Sequence, residues 1–481
     1  MKFVLIVAVS TTMTVTTLFS NDSGIFTRSD NTVQQQYSIS KTAVLHNATY
    51  DMLKTVSTST KMISWSTQVT SSHVSSSDTK SSTGELSCSP VKHVFYLRTF
   101  KTGSTTITTT LYRKAWKDYL SIVPTTDDPY PETVKENVLI NIQERPQVYD
   151  MLTEHILYNE TAINQHMNAD TKFIVSLRHP LPHFKSAFNE FSLASYLNIT
   201  NPDPALYFLE HLENFRNRKI TPRGIGATKS LLTFQLGVKL KDLDNMTAVD
   251  DFIKYMDNRF DLVLINEYFD ESLLLLRWKF CWQMKDIYYI SKRVKHYPYK
   301  DTSYDQNIME KHKEWSAADY RLYHYHVSKL LGKLATMPQD FWTELQVYRL
   351  IISKISTFCE DLMQIIMRKL ENFLDFVGHP QTGKGRKNIT IDPSPYGEKF
   401  MVDVVDCAFI KLDTIVARNL LIVSHQREIC NRSSLVTDVP INYPIRGTRK
   451  NGFQLNYKYC SEWSKVYQLP LQIFTERKAY M

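Results

Sequence analysis

Three short, unbroken apolar runs stand out along the chain: Val94-Phe95-Tyr96-Leu97, Phe173-Ile174-Val175-Ser176-Leu177 and Leu262-Val263-Leu264-Ile265. Apolar runs of this length without alternation are the pattern of strands buried on both faces. Each is followed by helical periodicity: to about Leu120 after the first, from about His183 to Tyr196 after the second, and from Leu273 to Trp282 after the third. Asp270-Glu271-Ser272 stand before that last helix as its expected cap. Strands alternating with helices predict an α/β fold, a central parallel sheet covered by helices on both faces. From about Trp315 to Phe376 the pattern is mostly helical, and beyond Gly378 it is less regular, fitting either a subdomain or a long cover. No internal repeat is present.

The N-terminal pattern is of another kind. Lys2 precedes the apolar run Phe3 to Val9, and the chain stays uncharged to Ser20. The run is shorter than the ~20 apolar residues of a robust membrane helix, so two readings of residues 1–20 stand. One is a signal anchor, with Lys2 before and Asp22 after it keeping the N-terminus cytosolic. The other is a cleaved signal peptide, against which the residues before Asn21 lack a clear small-x-small pattern. Both deliver the rest of the chain to the secretory lumen. Between Thr55 and Gly84, 18 of 30 residues are Ser or Thr, too polar to offset the entropy of ordering. Residues 21–87 are therefore expected to form a disordered, O-glycosylated luminal stem, and residues 88–481 the folded luminal domain.

The lumen agrees with seven N-x-Ser/Thr sequons, at Asn21, Asn47, Asn159, Asn198, Asn245, Asn388 and Asn431. The six cysteines (Cys88, Cys281, Cys359, Cys407, Cys430, Cys460) contain no CxxC pair, which argues against zinc; they allow up to three disulfides in fifteen connectivities. At 43% hydrophobic and 22% charged residues the chain is globular rather than disordered or collagen-like, and 13 glycines in 481 residues exclude a glycine-rich repeat. A net charge of +8 fits nucleic acid in principle, but Lys and Arg are spread rather than gathered in a block. A basic enzyme handling an anionic cosubstrate fits the same charge, and no nucleic-acid partner is expected.

Candidate chemistry sits where two of the runs end. After the first comes Arg98-Thr99-Phe100-Lys101-Thr102-Gly103-Ser104-Thr105-Thr106, opening a helix. Backbone N–H groups and the positive helix end attract an anion, glycine permits close approach, and hydroxyls add donors. It is not a Walker A loop, because Lys101 precedes Gly103 instead of following it. After the second run, Arg178-His179-Pro180 leads to Ser186, a planar guanidinium followed by a neutral donor at the entry of a helix. Either loop alone has an ordinary structural explanation; two in this order after parallel strands are a much more specific signal.

With these residues the chain resembles the Golgi sulfotransferases that use 3′-phosphoadenosine 5′-phosphosulfate, and within them the galactose-3-O-sulfotransferase family. Arg178, Pro180 and Ser186 match an R-x-P-x(5)-S pattern, and the similar segments are HVFYLRTFKTGSTTITTTLYR, FIVSLRHPLPHFKSAFNEF, SLLTFQLG and NRFDLVLINEYFDESLLLLRWKFCWQMKDIYY. They span roughly Val91 to Tyr289, and the C-terminal third matches only loosely. The resemblance implies a P-loop-like sulfotransferase fold with a largely helical C-terminal part. It also implies transfer of a sulfuryl group from the phosphosulfate to the 3-hydroxyl of a terminal β-galactose on a glycolipid, such as galactosylceramide, or on a glycoprotein glycan. Lys101, Thr102, Gly103, Ser104, Thr105 and Thr106 are then expected around the 5′-phosphosulfate, and Arg178 and Ser186 on the 3′-phosphate. Lys101 stabilises the leaving oxygen, His155 in Glu154-His155-Ile156 is the candidate base, and no metal is expected. The implied address is the Golgi membrane, single-pass type II with a luminal domain, or else secretion; the sequence does not set the oligomeric state, and a homodimer is compatible with it.

Two positions depart from the family pattern. Phe100 stands where the family usually has His before the loop Lys, and His179 where it tends to have Asp. Two further readings follow: a sulfotransferase for another sugar hydroxyl, and a catalytically weak relative that only binds a nucleotide or glycan.

Overall fold

The computed structural model describes residues 88–123, 148–216, 225–291, 296–368 and 387–412, together with isolated positions as far as residue 455. The expected anchor or signal (1–20) and stem (21–87) lie outside the described residues. Among the described residues no helix is long and apolar enough to cross a membrane.

The three apolar runs are strands, and a fourth joins them. β1 (Val94–Leu97), β2 (Met151–Glu154), β3 (Lys172–Leu177) and β4 (Leu262–Ile265) form one parallel sheet in the order β2-β1-β3-β4. Phe95 pairs with Leu152 on one side and Phe173 on the other, and Val175 pairs with Val263. All four β1 residues are buried, which is why the run shows no alternation. The edge strand β2, with the sequence Met-Leu-Thr-Glu, has too short an apolar run to be read from the sequence.

Helices flank the sheet. α1 (Ser104–Lys117) follows β1; α2 (Glu160–Asn164) precedes β3; α3 (Pro180–Glu190) and α4 (Leu193–Leu197) follow it. The single helix expected from His183 to Tyr196 is thus two, starting earlier at Pro180 and broken at Ser192, whose φ of 53° leaves the helical region. The short helices α5 (Pro204–Glu210), α6 (Glu213–Arg216) and α7 (Leu231–Gln235) lead to α8 (Met246–Arg259), which precedes β4. α9 then runs Phe269–Phe280, so Asp270-Glu271-Ser272 are not a cap before it but part of its first turn. Arg349 binds both acidic side chains, and the Ser272 hydroxyl accepts from the Ile265 N–H 3.0 Å away. α10 (Met284–Ile287) and α11 (Gln306–Trp315) follow, and the helical stretch expected from Trp315 resolves into α12 (Ala317–Ala335) and α13 (Gln339–Arg368). Past residue 378 come an antiparallel pair, β5 (Asn388–Ile391) with β6 (Phe400–Asp403), and α14 (Val404–Lys411), which packs on α1 and α13.

Two disulfides tie these parts. Cys88–Cys281 joins the start of the domain to the end of α9, and Cys359–Cys407 joins α13 to α14. Cys430 and Cys460 lie outside the described residues.

The core between α1 and α10 is pinned by one buried cation. Arg113 donates to the carbonyls of Tyr288 (2.6 Å), Lys285 (3.0 Å) and Asp286 (3.1 Å), and its guanidinium lies 3.4 Å from the centre of the Tyr288 ring. Carbonyls at a helix C-terminal end are natural partners for a cation, and the stacked ring covers its face. Arg113→Met is expected to lower unfolding free energy by about 3 kcal/mol, since three carbonyls, those of Tyr288 and Asp286 buried, lose their donor. Urea denaturation that leaves the midpoint unchanged would remove Arg113 from this role.

Candidate functional site

The carboxyl ends of β1 and β3 build the site, and buried hydroxyls fix their loops. Thr102 hydrogen-bonds Thr99 (2.9 Å) and Ser176 (2.7 Å), and Ser176 also meets the Tyr96 hydroxyl at 2.7 Å. The Thr102 side chain therefore faces inward, and only its backbone is left to serve an anion. Lys101 is held at φ 59° and Gly103 at φ 77°. The first conformation is costly for a side-chain-bearing residue, about 1–2 kcal/mol; the second suits glycine. At Gly103 a β-carbon would also sit 2.7 Å from Asn266 Oδ1, so the loop packs too closely for any other residue. Gly103 is the N-cap of α1, and no side chain caps that helix end. Ser104 and Thr106 are buried in its first turn, while Thr105 accepts from Arg98 Nη2 at 3.4 Å.

The second loop grips the first. Arg178 Nη1 donates to the Lys101 carbonyl (3.1 Å), His183 Nε2 donates to the Phe100 carbonyl (2.9 Å), and Glu190 Oε2 accepts from Lys101 Nζ (2.9 Å). Phe191 packs edge-on against Phe100, with ring centres 5.2 Å apart. The two expected anion cradles thus converge on one another. Arg178 Nε is buried without a hydrogen-bond partner among the described residues, a stranded donor that suits an anion. Beside it the Ser186 hydroxyl hydrogen-bonds Tyr297, whose own hydroxyl is raised in pKa chiefly by burial and lowered in part by Arg178. Glu267 orders the same loop: it accepts from the His179 N–H (2.9 Å) and from the Tyr323 hydroxyl (3.1 Å).

His155 follows β2 directly, on the other side of the Lys101 loop. Its Nδ1 lies 2.5 Å from the Arg98 carbonyl, which can only accept, so Nδ1 carries a proton. The Phe100 ring stacks on the imidazole, centres 4.2 Å apart and planes within 15°. Phe100, the departure noted in the sequence, thereby closes one face of His155. Glu154 accepts from Arg418 at 2.8 Å, and Arg98 donates to Thr414 at 3.0 Å, so residues beyond α14 return to brace this edge.

Electrostatically the site is cationic with neutral histidines behind it. Burial lowers the Arg178 pKa, and Glu267 opposes that shift. Burial, with Arg178 nearby, pushes His183 down to about 3; burial pushes His179 to about 4 and His312 to about 3, so all three are uncharged near neutrality. Among the described residues no group of three or more His, Cys, Asp or Glu is placed to hold a metal. An open cavity of about 840 Å³ lies between α8 and α12, and its wall residue Tyr320 meets the His179 ring, centres 5.7 Å apart.

Lys101, Gly103, Ser104, Thr105, Arg178 and Ser186 therefore share one neighbourhood, with His155 against Phe100 at its edge. Sequence reading missed Glu190, His183 and Tyr297. Glu190 and His183 carried a faint signal, since both fall within a turn or two of Ser186 on the same predicted helix.

A family model described as galactose-3-O-sulfotransferase matches residues 31–368. Human galactosylceramide sulfotransferase is 26% identical over 285 residues, 57% of this chain and 65% of that protein. The bovine protein of the same name is 27% identical over 253 residues, covering 50% and 57%. Pig galactose-3-O-sulfotransferase 2 is 25% identical over 270 residues, covering 53% and 64%. The chain thus spans less than two thirds of the length of these relatives.

The buried histidines set an acid limit. Their folded pKa values lie below the ordinary value of 6.5, so the stability they contribute is full above about pH 6.5 and is lost as pH falls toward 3–4. Thermal unfolding followed from about pH 7 to about pH 5 should show a steep loss in the wild type and a shallower one in His183→Gln, whose amide can still donate to Phe100. Equal slopes would exclude His183 as a source of the acid sensitivity.

Proposed function

The chain belongs to the galactose-3-O-sulfotransferase family, and on that premise we propose that it moves a sulfuryl group from 3′-phosphoadenosine 5′-phosphosulfate to the 3-hydroxyl of a terminal β-galactose. The acceptor is a glycolipid of the galactosylceramide type or a glycoprotein glycan. The observation that supports the reading is the 3.1 Å bond from Arg178 to the Lys101 carbonyl, which joins the loop after β1 to the end of β3.

The bound cosubstrate supplies the sulfuryl group and an anionic leaving group. Arg178, with its stranded Nε, and Ser186 hold the 3′-phosphate. The uncapped end of α1 and the backbone from Thr102 to Thr106 face the 5′ end. The Lys101 ammonium meets the oxygen on which charge gathers as its bond to sulfur breaks. The galactose hydroxyl forms the new oxygen–sulfur bond and gives its proton to Nε2 of a neutral His155, whose Nδ1–H the Arg98 carbonyl binds. The Golgi lumen is the proposed setting, residues 1–20 serving as a type II anchor, with secretion after cleavage as the alternative.

Full-length protein given radiolabelled cosubstrate with galactosylceramide or lactose should label the galactose 3-hydroxyl, mapped by mass spectrometry. Lys101→Ala is expected to reduce turnover by about 1,000-fold, Arg178→Ala chiefly to raise the cosubstrate KM by about 10–100-fold, and His155→Ala to reduce kcat by about 100-fold. Label on another hydroxyl points to a different sugar specificity. Nucleotide binding without any transfer points to the binding-only relative that Phe100, stacked on His155, would favour. A near-normal rate in the Lys101 variant is incompatible with the mechanism.

A further inference from the structure

Lys101 is clamped at both ends by a single strand–helix unit. Arg178, at the end of β3, holds its carbonyl, and Glu190, the last residue of α3, holds its ammonium at 2.9 Å. The pair is shielded but reachable, with side-chain exposures of 17% for Lys101 and 27% for Glu190. An ammonium bound to a carboxylate is charged and oriented, yet its best donor direction is already taken. If Lys101 serves the phosphosulfate, that anion and the Glu190 carboxylate compete for the same Nζ.

We propose that Glu190 is a positioning residue that occupies the Lys101 ammonium in the nucleotide-free protein and gives it up when the 5′ anion of the cosubstrate arrives. The inference rests on the proposed cosubstrate and adds a carboxylate acting as an internal stand-in for its phosphosulfate. Holding the ammonium over the loop spares Lys101 from turning to solvent, so the nucleotide meets a lysine already aimed at the cleft. The cost is an affinity lowered by the strength of the pair. Because the pair is only partly shielded, that strength corresponds to about a three- to five-fold change in dissociation constant.

Phe191 adds a reason for the carboxylate to be where it is. This next residue packs edge-on against Phe100, the neighbour of Lys101, so the end of α3 is fixed on the loop by an apolar contact independent of the charges. Loss of the Glu190 charge should therefore leave the loop in place.

The test is a double-mutant cycle on binding of adenosine 3′,5′-bisphosphate, measured by calorimetry on the full chain. Glu190→Gln is expected to tighten binding about three- to five-fold in the otherwise wild-type protein, and by less than about two-fold in a Lys101→Met background. Equal tightening in both backgrounds would mean plain charge repulsion and would overturn competition for Lys101. Unchanged or weaker binding in Glu190→Gln overturns the proposal while leaving the cosubstrate reading intact. A wild-type protein that binds no bisphosphate overturns both. Glu190→Asp, one methylene too short to keep the contact, should behave as Glu190→Gln does and serves as the second variant if the amide disturbs folding, which circular dichroism reports.

Discussion

The grip of the β3–α3 unit on the loop after β1 is the constraint on which the site depends. Lys101 occupies a left-handed backbone conformation that a lysine does not choose for itself. It stays there because its carbonyl is bound by Arg178 and the carbonyl before it by His183, while Glu190 directs its ammonium. The end of β3 and the helix that follows it thus set the place of the loop, the direction of the lysine and the spacing between Lys101 and Arg178. Beneath the loop, the hydroxyls of Tyr96, Thr99, Thr102 and Ser176 satisfy one another and so hold the turn from below.

The helix that opens at this loop shows tertiary context overriding local preference. α1 begins Ser-Thr-Thr-Ile-Thr-Thr-Thr, a composition poor in helix propensity because branched side chains lose rotamer freedom against the preceding turn. Several of these residues are buried, and their hydroxyls find partners. Thr108 meets Thr153 of β2 at 2.9 Å, and Thr110 donates back to the Thr106 carbonyl at 3.1 Å. Burial between sheet and α14 supplies what propensity does not, and a helix end with no capping side chain is kept where an anion would use it.

Charge is distributed with the same logic. Near the cations of the site, His179, His183 and His312 are kept uncharged near neutrality by burial. His183 is the clearest case: an ammonium in its place would repel both Arg178 and Lys101, whereas neutral imidazole binds the Phe100 carbonyl at 2.9 Å.

Sequence alone determined three of the four strands, β1, β3 and β4, and the alternation of strand and helix, because buried parallel strands read as apolar runs and their carboxyl ends as abrupt polar breaks. β2 escaped it, since an edge strand of Met-Leu-Thr-Glu carries too little apolar sequence to stand out from a turn. The break of α3 from α4 escaped it too, because no glycine or proline marks Ser192, whose φ of 53° ends the helix. What only the folded chain decided is pairing across distance. Lys101 with Glu190 spans 89 positions, Arg98 with Thr414 spans 316, and Phe100 meets His155 face to face. Periodicity reports which way a side chain faces within its own element; which side chain of another element it meets depends on how those elements pack together.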